Sequence, residues 1–239
     1  FGDLARLPPH LWWIPDGMSF LGAERSVATL AAVQAGGAST DSDQGIVLVS
    51  QAAAPGFARL GHAEKEVEDI AALFGSSARV HTKAMVRSEF LGNVEAAGLL
   101  HFAGHGFSDA RDPRRSFLAL SDPSGPSRVF ATDLDGVKSR ARLVVLSACS
   151  TGGPGRLPSS ASLGLAGSLL SAGAAEVVAP LVDVDDQSTR EAMKAFYSAL
   201  RTGQSPSAAL LSARRATRDL AHAAYAFQSF SRAVEQVTQ

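Results

Sequence analysis

"LLHFAGHGFSD", Leu99 to Asp109, runs an apolar stretch directly into two histidines and two glycines, and "RLVVLSACSTGG", Arg142 to Gly153, repeats the form with the only cysteine of the chain near its end. Each opens with a continuous apolar run of the length expected for a strand buried on both faces, as in a parallel sheet. If the two strands are adjacent and parallel, their tips emerge at one edge of the sheet, where sites in open α/β sheets sit. His105 and Cys149 then come within reach of each other.

The surrounding chain fits such a sheet. Further apolar runs, "LWWI" before Pro15, "GIVLVS" from Gly45, "SFLALSD" from Ser116 and "EVVAPLV" from Glu176, read as strands, and "YAFQSFSRAVEQ" near the end as a last one. Between them lie helical stripes: Val67, Ile70, Ala71 and Phe74 at i, i+3, i+4 and i+7, and Met193, Phe196, Tyr197 and Leu200 at the same spacing, with Gly203 placed to stop the second helix. Ser205 and Pro206 read as the cap and first position of another. Strands alternating with helices predict an α/β fold with a mainly parallel sheet. The segments "AAPG", "SDPSGPS" and "TGGPGRLPSSAS" read as surface loops, and the charged "SDARDPRRSFL", with Arg111, Arg114 and Arg115, as a solvated connection.

At 239 residues, 46% hydrophobic and 19% charged, the chain has the composition of a globular domain, and a net charge of −1 removes bulk attraction to nucleic acid or an anionic membrane. One cysteine cannot form an intrachain disulfide, no apolar run reaches the roughly 18 residues of a spanning helix, and the start lacks a signal-peptide layout. A cytoplasmic location is expected. The chain opens on Phe1, so we expect a fragment of a longer protein.

A free cysteine at the end of a buried strand is, taken alone, a packed small hydrophobe, and a histidine in an apolar run a satisfied core residue. The coincidence of the two strand tips, each with glycine close behind, weighs against that reading. An imidazole beside a thiol helps to ionise it, takes its proton during attack and returns the proton to the leaving group. Gly106 lets the backbone approach a substrate, and its N–H is a candidate oxyanion donor. Spacing alone leaves both readings open.

"HFAGHG" followed by "LVVLSACSTGG" resembles the paired signature of the CHAT domain, a branch of the caspase and separase group of cysteine peptidases. The likeness extends to "IPDGMSFL", to "GHAEKEVEDIAALF" and to the block from Gly164 to Arg215, covering most of residues 10–230. The resemblance implies a caspase-like α/β sandwich in a single domain over 1–239, with an N-terminal part at 10–95 and a catalytic part at 96–230. It implies His105 as catalytic histidine, Cys149 as nucleophile, the amides of Gly106 and Cys149 as oxyanion donors, and a structural His101. Two departures stand out: Val182 where the family often has tryptophan, and "SSASLGLAG" where it often has Gly-Glu-Gly.

The resemblance therefore implies a cysteine endopeptidase acting on a protein substrate and gated by upstream domains or a partner protein, since relatives are commonly fused to helical repeats that do so, and a role in bacterial defence, in which some relatives act. The alternative is a catalytically idle scaffold that binds a partner. No cofactor is expected. Asp183, Asp185 and Asp186 follow the "EVVAPLV" strand and are candidates for a pocket that selects basic side chains, as an acid does in separase. Asp186 is well placed to cap the next helix, which favours Asp183 or Asp185 for the pocket. One short acidic run supplies too few ligands for calcium, so no metal is expected.

Overall fold

A computed structural model of the protein describes residues 45–109, 111–122, 124–148, 164–217 and 223–231 in full, and the backbone of 13–14, 19–20, 28–33 and 232–233. Its centre is a seven-stranded sheet. The strands are β3 (Ala28–Val33), β4 (Ile46–Gln51), β5 (Ala78–His81), β6 (Leu99–Gly104), β10 (Leu143–Ser147), β11 (Glu176–Pro180) and β12 (Phe227–Ala233), in the spatial order β3-β12-β11-β10-β6-β4-β5. From β5 to β11 all neighbours are parallel; β12 pairs antiparallel with β11 and parallel with β3. Three further strands, β7 (Gly106–Phe107), β8 (Phe117–Leu120) and β9 (Ser127–Phe130), form a small antiparallel sheet, and β1 (Trp13–Ile14) pairs with β2 (Ser19–Phe20).

Helices cover both faces of the large sheet. Alternation along each strand sends Leu48, Ala103, Val145 and Val178 to one side, against Val67 and Ile70 of α1 (Ala63–Phe74), Met193 and Phe196 of α4 (Asp186–Arg201) and Leu210 of α5 (Pro206–Arg215). Val49, Phe102, Val144 and Val177 face the other side, against Phe90 and Val94 of α2 (Arg87–Ala96) and Leu165 and Leu169 of α3 (Gly164–Ala172). Two-sided burial is why these strands read as unbroken apolar runs.

The expected strand at "SFLALSD" forms, but as β8 of the antiparallel sheet and not in the central one. Leu118 and Leu120 pack into the main core while Phe117 and Ala119 pack with Ala54 and Phe57. Its apolar run records burial on both faces, and that pattern carries no information on strand direction. Helix ends follow the sequence reading: Gly203 closes α4 at φ +86°, its N–H donating to the Leu200 carbonyl, and the Ser205 hydroxyl accepts from the Ala208 N–H ahead of α5.

His101 lies inside β6, fully buried and facing α1 and α4. Its Nε2 is 2.9 Å from Glu66 Oε1 and its Nδ1 is 3.0 Å from Tyr197 Oη. A carboxylate only accepts, so Nε2 carries a proton; burial first, and the Glu66 charge second, hold the Tyr197 hydroxyl protonated well above its ordinary range, so it can donate to Nδ1. One imidazole thereby joins a strand to two helices. Arg214, also fully buried, donates to the carbonyls of Ala224 and Phe227 and ties α5 to the approach to β12; burial lowers its pKa to about 10.

Two stability predictions follow from this packing. Replacing His101 by alanine strands a buried carboxylate and is expected to cost about 3–5 kcal/mol, whereas Tyr197→Phe costs about 1–2 kcal/mol, both read by denaturant unfolding. Gly173, at φ +122° beyond α3, has Ser139 O only 2.3 Å from where a Cβ would stand, so Gly173→Ala should cost about 2 kcal/mol or more in the same assay.

Candidate functional site

The parallel pairing of β6 and β10 runs through Leu143↔Leu99 to Ser147↔Ala103, so the two tips leave the sheet side by side. His105 lies two residues beyond Ala103, and Cys149 two beyond Ser147. Cys149, and the loop that follows it to residue 163, lie outside the described residues.

His105 sits between β6 and β7, partly exposed, and two neighbours from the loop after β4 hold its ring. Phe57 stacks on it with centroids 4.8 Å apart and planes 24° from parallel, and Nε2 lies 2.7 Å from the Ala58 carbonyl oxygen. That carbonyl can only accept, so the Nε2 proton is directed to it, and Nδ1 is the nitrogen left for chemistry. Phe57 is itself braced edge-on by Phe117 at 6.5 Å. Neither Phe57 nor Ala58 was marked by the sequence, because a backbone carbonyl has no residue signature and the loop read only as surface.

The two glycines around His105 have different roles. A Cβ on Gly104 would lie 2.8 Å from the Phe102 ring and 3.3 Å from Gln51 Cβ, so that position is glycine for packing. Gly106 pairs with Leu118, and the neighbouring ladder bond runs from Ala119 N–H to the His105 carbonyl. Gly106 is thus a non-hydrogen-bonded member of its antiparallel pair, and its N–H points off the ladder. Beyond it the connection is the expected exposed turn, with Asp109 accepting from the amides of Arg111 and Asp112, contacts that hold its carboxyl below the usual range.

Beside His105 a small cavity of about 60 Å³ opens between the strand tips and the starts of α1 and α4, bordered by Ser147, Ala148, Glu66, Asp186 and Thr189. A larger open groove of about 740 Å³ lies along β9 and the start of α2, next to Arg87 and Arg128. The two share no lining residue, and His105 lines the smaller one.

The three acids take different positions. Asp185, not Asp186, caps α4: its extended backbone lets both carboxylate oxygens accept, from Gln187 N–H at 3.1 Å and Ser188 N–H at 2.9 Å. The helix starts one residue earlier than expected, which makes Asp186 its first residue and turns that side chain toward the cavity, where it accepts from His62 N–H at 2.7 Å. Asp183 is exposed and is not part of the cavity lining. Val182, at the expected tryptophan position, is 56% exposed just before these acids. Among the described residues no cluster of histidine, cysteine and carboxylate side chains could hold a metal ion.

No curated protein sequence matches the chain. Solved structures do. The separase–securin complex of Saccharomyces cerevisiae is similar over 86% of this chain and 12% of its own, at 13% identity and a TM-score of 0.56. The Arg-specific cysteine proteinase gingipain R is similar over 79% of this chain and 46% of its own, at 12% identity and a TM-score of 0.55. A complex of Porphyromonas gingivalis RgpB pro- and mature domains is similar over 79% of this chain, at 12% identity and a TM-score of 0.51. This chain spans about an eighth of the separase chain and just under half of the two proteinase chains, and at such identities the likeness is one of fold: a caspase-like α/β sandwich with a mostly parallel sheet. A model of the CHAT domain matches residues 2–230, and the chain belongs to that family.

Proposed function

We propose that the protein is a cysteine endopeptidase working through a His105–Cys149 dyad and an acyl-enzyme. The observation that carries this reading is the His105 ring, held by Phe57 and by the Ala58 carbonyl with Nδ1 left as base, at the tip of the strand paired with the one leading to Cys149. In the first step the Cys149 sulfur bonds to the scissile carbonyl carbon and the thiol proton passes to Nδ1. The oxyanion is met by the N–H groups of Gly106 and Cys149. The C–N bond then breaks as Nδ1 returns the proton to the departing amine, and water, deprotonated by the same nitrogen, cleaves the thioester.

All of this belongs to one domain. The carbonyl that orients the histidine comes from Ala58, in the part before residue 96, and the dyad from the part after it. Asp186, at the cavity rim, suits a substrate with a basic side chain at the cleaved position; gingipain R, similar in fold, is an Arg-specific proteinase. Separase crystallised with securin, and RgpB with its pro-domain, support regulation by an added domain or partner protein. Among the described residues no helix is long and apolar enough to cross a membrane.

Cys149→Ala and His105→Ala are each expected to abolish cleavage of a peptide library while leaving the melting curve unchanged. Asp186→Asn should cut cleavage after arginine roughly tenfold or more, equivalent to about 1.4 kcal/mol in the transition state, and leave cleavage after neutral residues near wild type. Failure of the wild-type chain to be labelled at Cys149 by a peptidyl electrophile would instead favour an idle, partner-binding domain.

A further inference from the structure

We infer that the aromatic face beyond His105, built by Phe57, Phe107 and Phe117, receives the substrate on the departing side of the cleaved bond and selects a large apolar side chain there. The inference rests on the peptidase reading and adds to it the class of residue that follows the cleaved position.

Phe107, the last residue of β7, is 48% exposed although it stacks on Phe117, with ring centroids 5.3 Å apart and planes 28° from parallel. Cross-strand pairing of Phe107 with Phe117, and of Phe117 with Phe130, puts all three on one face of the small sheet. Phe130 and the Arg128 guanidinium, 4.5 Å from the Phe117 centroid, reach Phe117 from β9, on the flank away from β7. From the loop after β4, Phe57 meets Phe117 edge-on and lies flat against His105. Phe57 and Phe117 pack with Ala54 and Ala119 in a small cluster apart from the two main cores. An exposed phenylalanine alone carries no message. This one extends a row of rings that ends on the candidate base.

The proposed chemistry gives that row a direction. Nδ1 hands its proton to the departing amine, which puts the amine nitrogen within hydrogen-bond reach of the imidazole. The side chain of the cleaved position goes to the cavity bordered by Ser147 and Asp186, and none of the three phenylalanines lines it. The two sides of the bond therefore part at His105, and the residue after the bond lies over the rings. β7 is an edge strand of its sheet, and the Gly106 C=O points off the ladder like its N–H, so an extended segment can follow that edge. Ring faces offer offset stacking to another ring and burial to an aliphatic chain, while their negative quadrupole disfavours a carboxylate. A cation is favoured by such faces in general, but here the Arg128 guanidinium already occupies the cluster. A large apolar residue is the remaining class.

The test starts from one peptide of a library that the wild-type chain cleaves, remade as a series with Phe, Leu, Gly, Lys or Asp directly after the cleaved bond. The kcat/KM values for the Phe and Leu peptides should exceed that for Gly by roughly fivefold or more, with Asp lowest. Phe107→Ser should bring the Phe-to-Gly ratio to within about twofold, and Phe107→Trp should retain it. That ratio is taken within one enzyme, so a loss of folded protein does not move it. A second measurement needs no variant: phenylalaninamide added with the substrate should outcompete glycinamide for the acyl-enzyme. Its nitrogen bonds to the thioester carbon as the C–S bond breaks, and its proton passes through Nδ1 to the Cys149 sulfur. Equal kcat/KM for the Phe and Gly peptides, a preference for Lys, or a preference unmoved by Phe107→Ser overturns the inference and leaves the peptidase reading standing. If no peptide of the library is cut, both fall.

Discussion

The in-register parallel pairing of β6 with β10 is the constraint on which the site depends. Val145 lies opposite His101 and Ser147 opposite Ala103, so one ladder sets both how far the histidine tip projects and where the chain turns toward Cys149. Since successive residues face opposite sides, a slip of one position would carry His101 away from Glu66 and Tyr197 and into the apolar layer beneath α2 and α3. The buried polar contacts of His101 therefore specify the register that brings the two strand tips together. The structural histidine inside β6 and the candidate site histidine just beyond its end lie four residues apart.

Much of this was legible in the sequence, for identifiable reasons. Strands β4, β6, β10 and β11 are covered on both faces and left unbroken apolar runs; α1 and α4 are covered on one face and left stripes. Strands β5 and β9 escaped notice because each is short and carries polar residues on its exposed side, such as Arg79 and Arg128. The direction of β8 was hidden because it is set by the reversal between Phe107 and Phe117, not by the run itself.

At the site, the side chains that sequence could name were those whose chemistry is unusual at a strand tip. Their supports were not visible. Ala58 acts through its backbone, and Glu66 sits in a helix among other acids, where nothing nearby distinguishes a buried carboxylate from solvated ones until His101 arrives from 35 positions away. Adjacent Asp185 and Asp186 posed a different difficulty: a helix start displaced by one residue exchanges the capping carboxylate for the one facing the cavity, and local sequence sets such boundaries only to within a residue or two.

The far side of the sheet carries a consequence for how the protein is made. Strand β3 is held through β12, pairing Ser229 with Ala28 and Ala233 with Val33, so β3 finds its partner only after roughly 200 further residues have been added. On a ribosome adding about 5–20 residues per second, β3 waits for ten seconds or more with its backbone unpaired. The parallel block from β5 to β11 needs no such delay and can assemble first, its contacts being the more local ones. Between the synthesis of β11 and that of β12 the nascent sheet carries an open edge at β11, which β12 then covers.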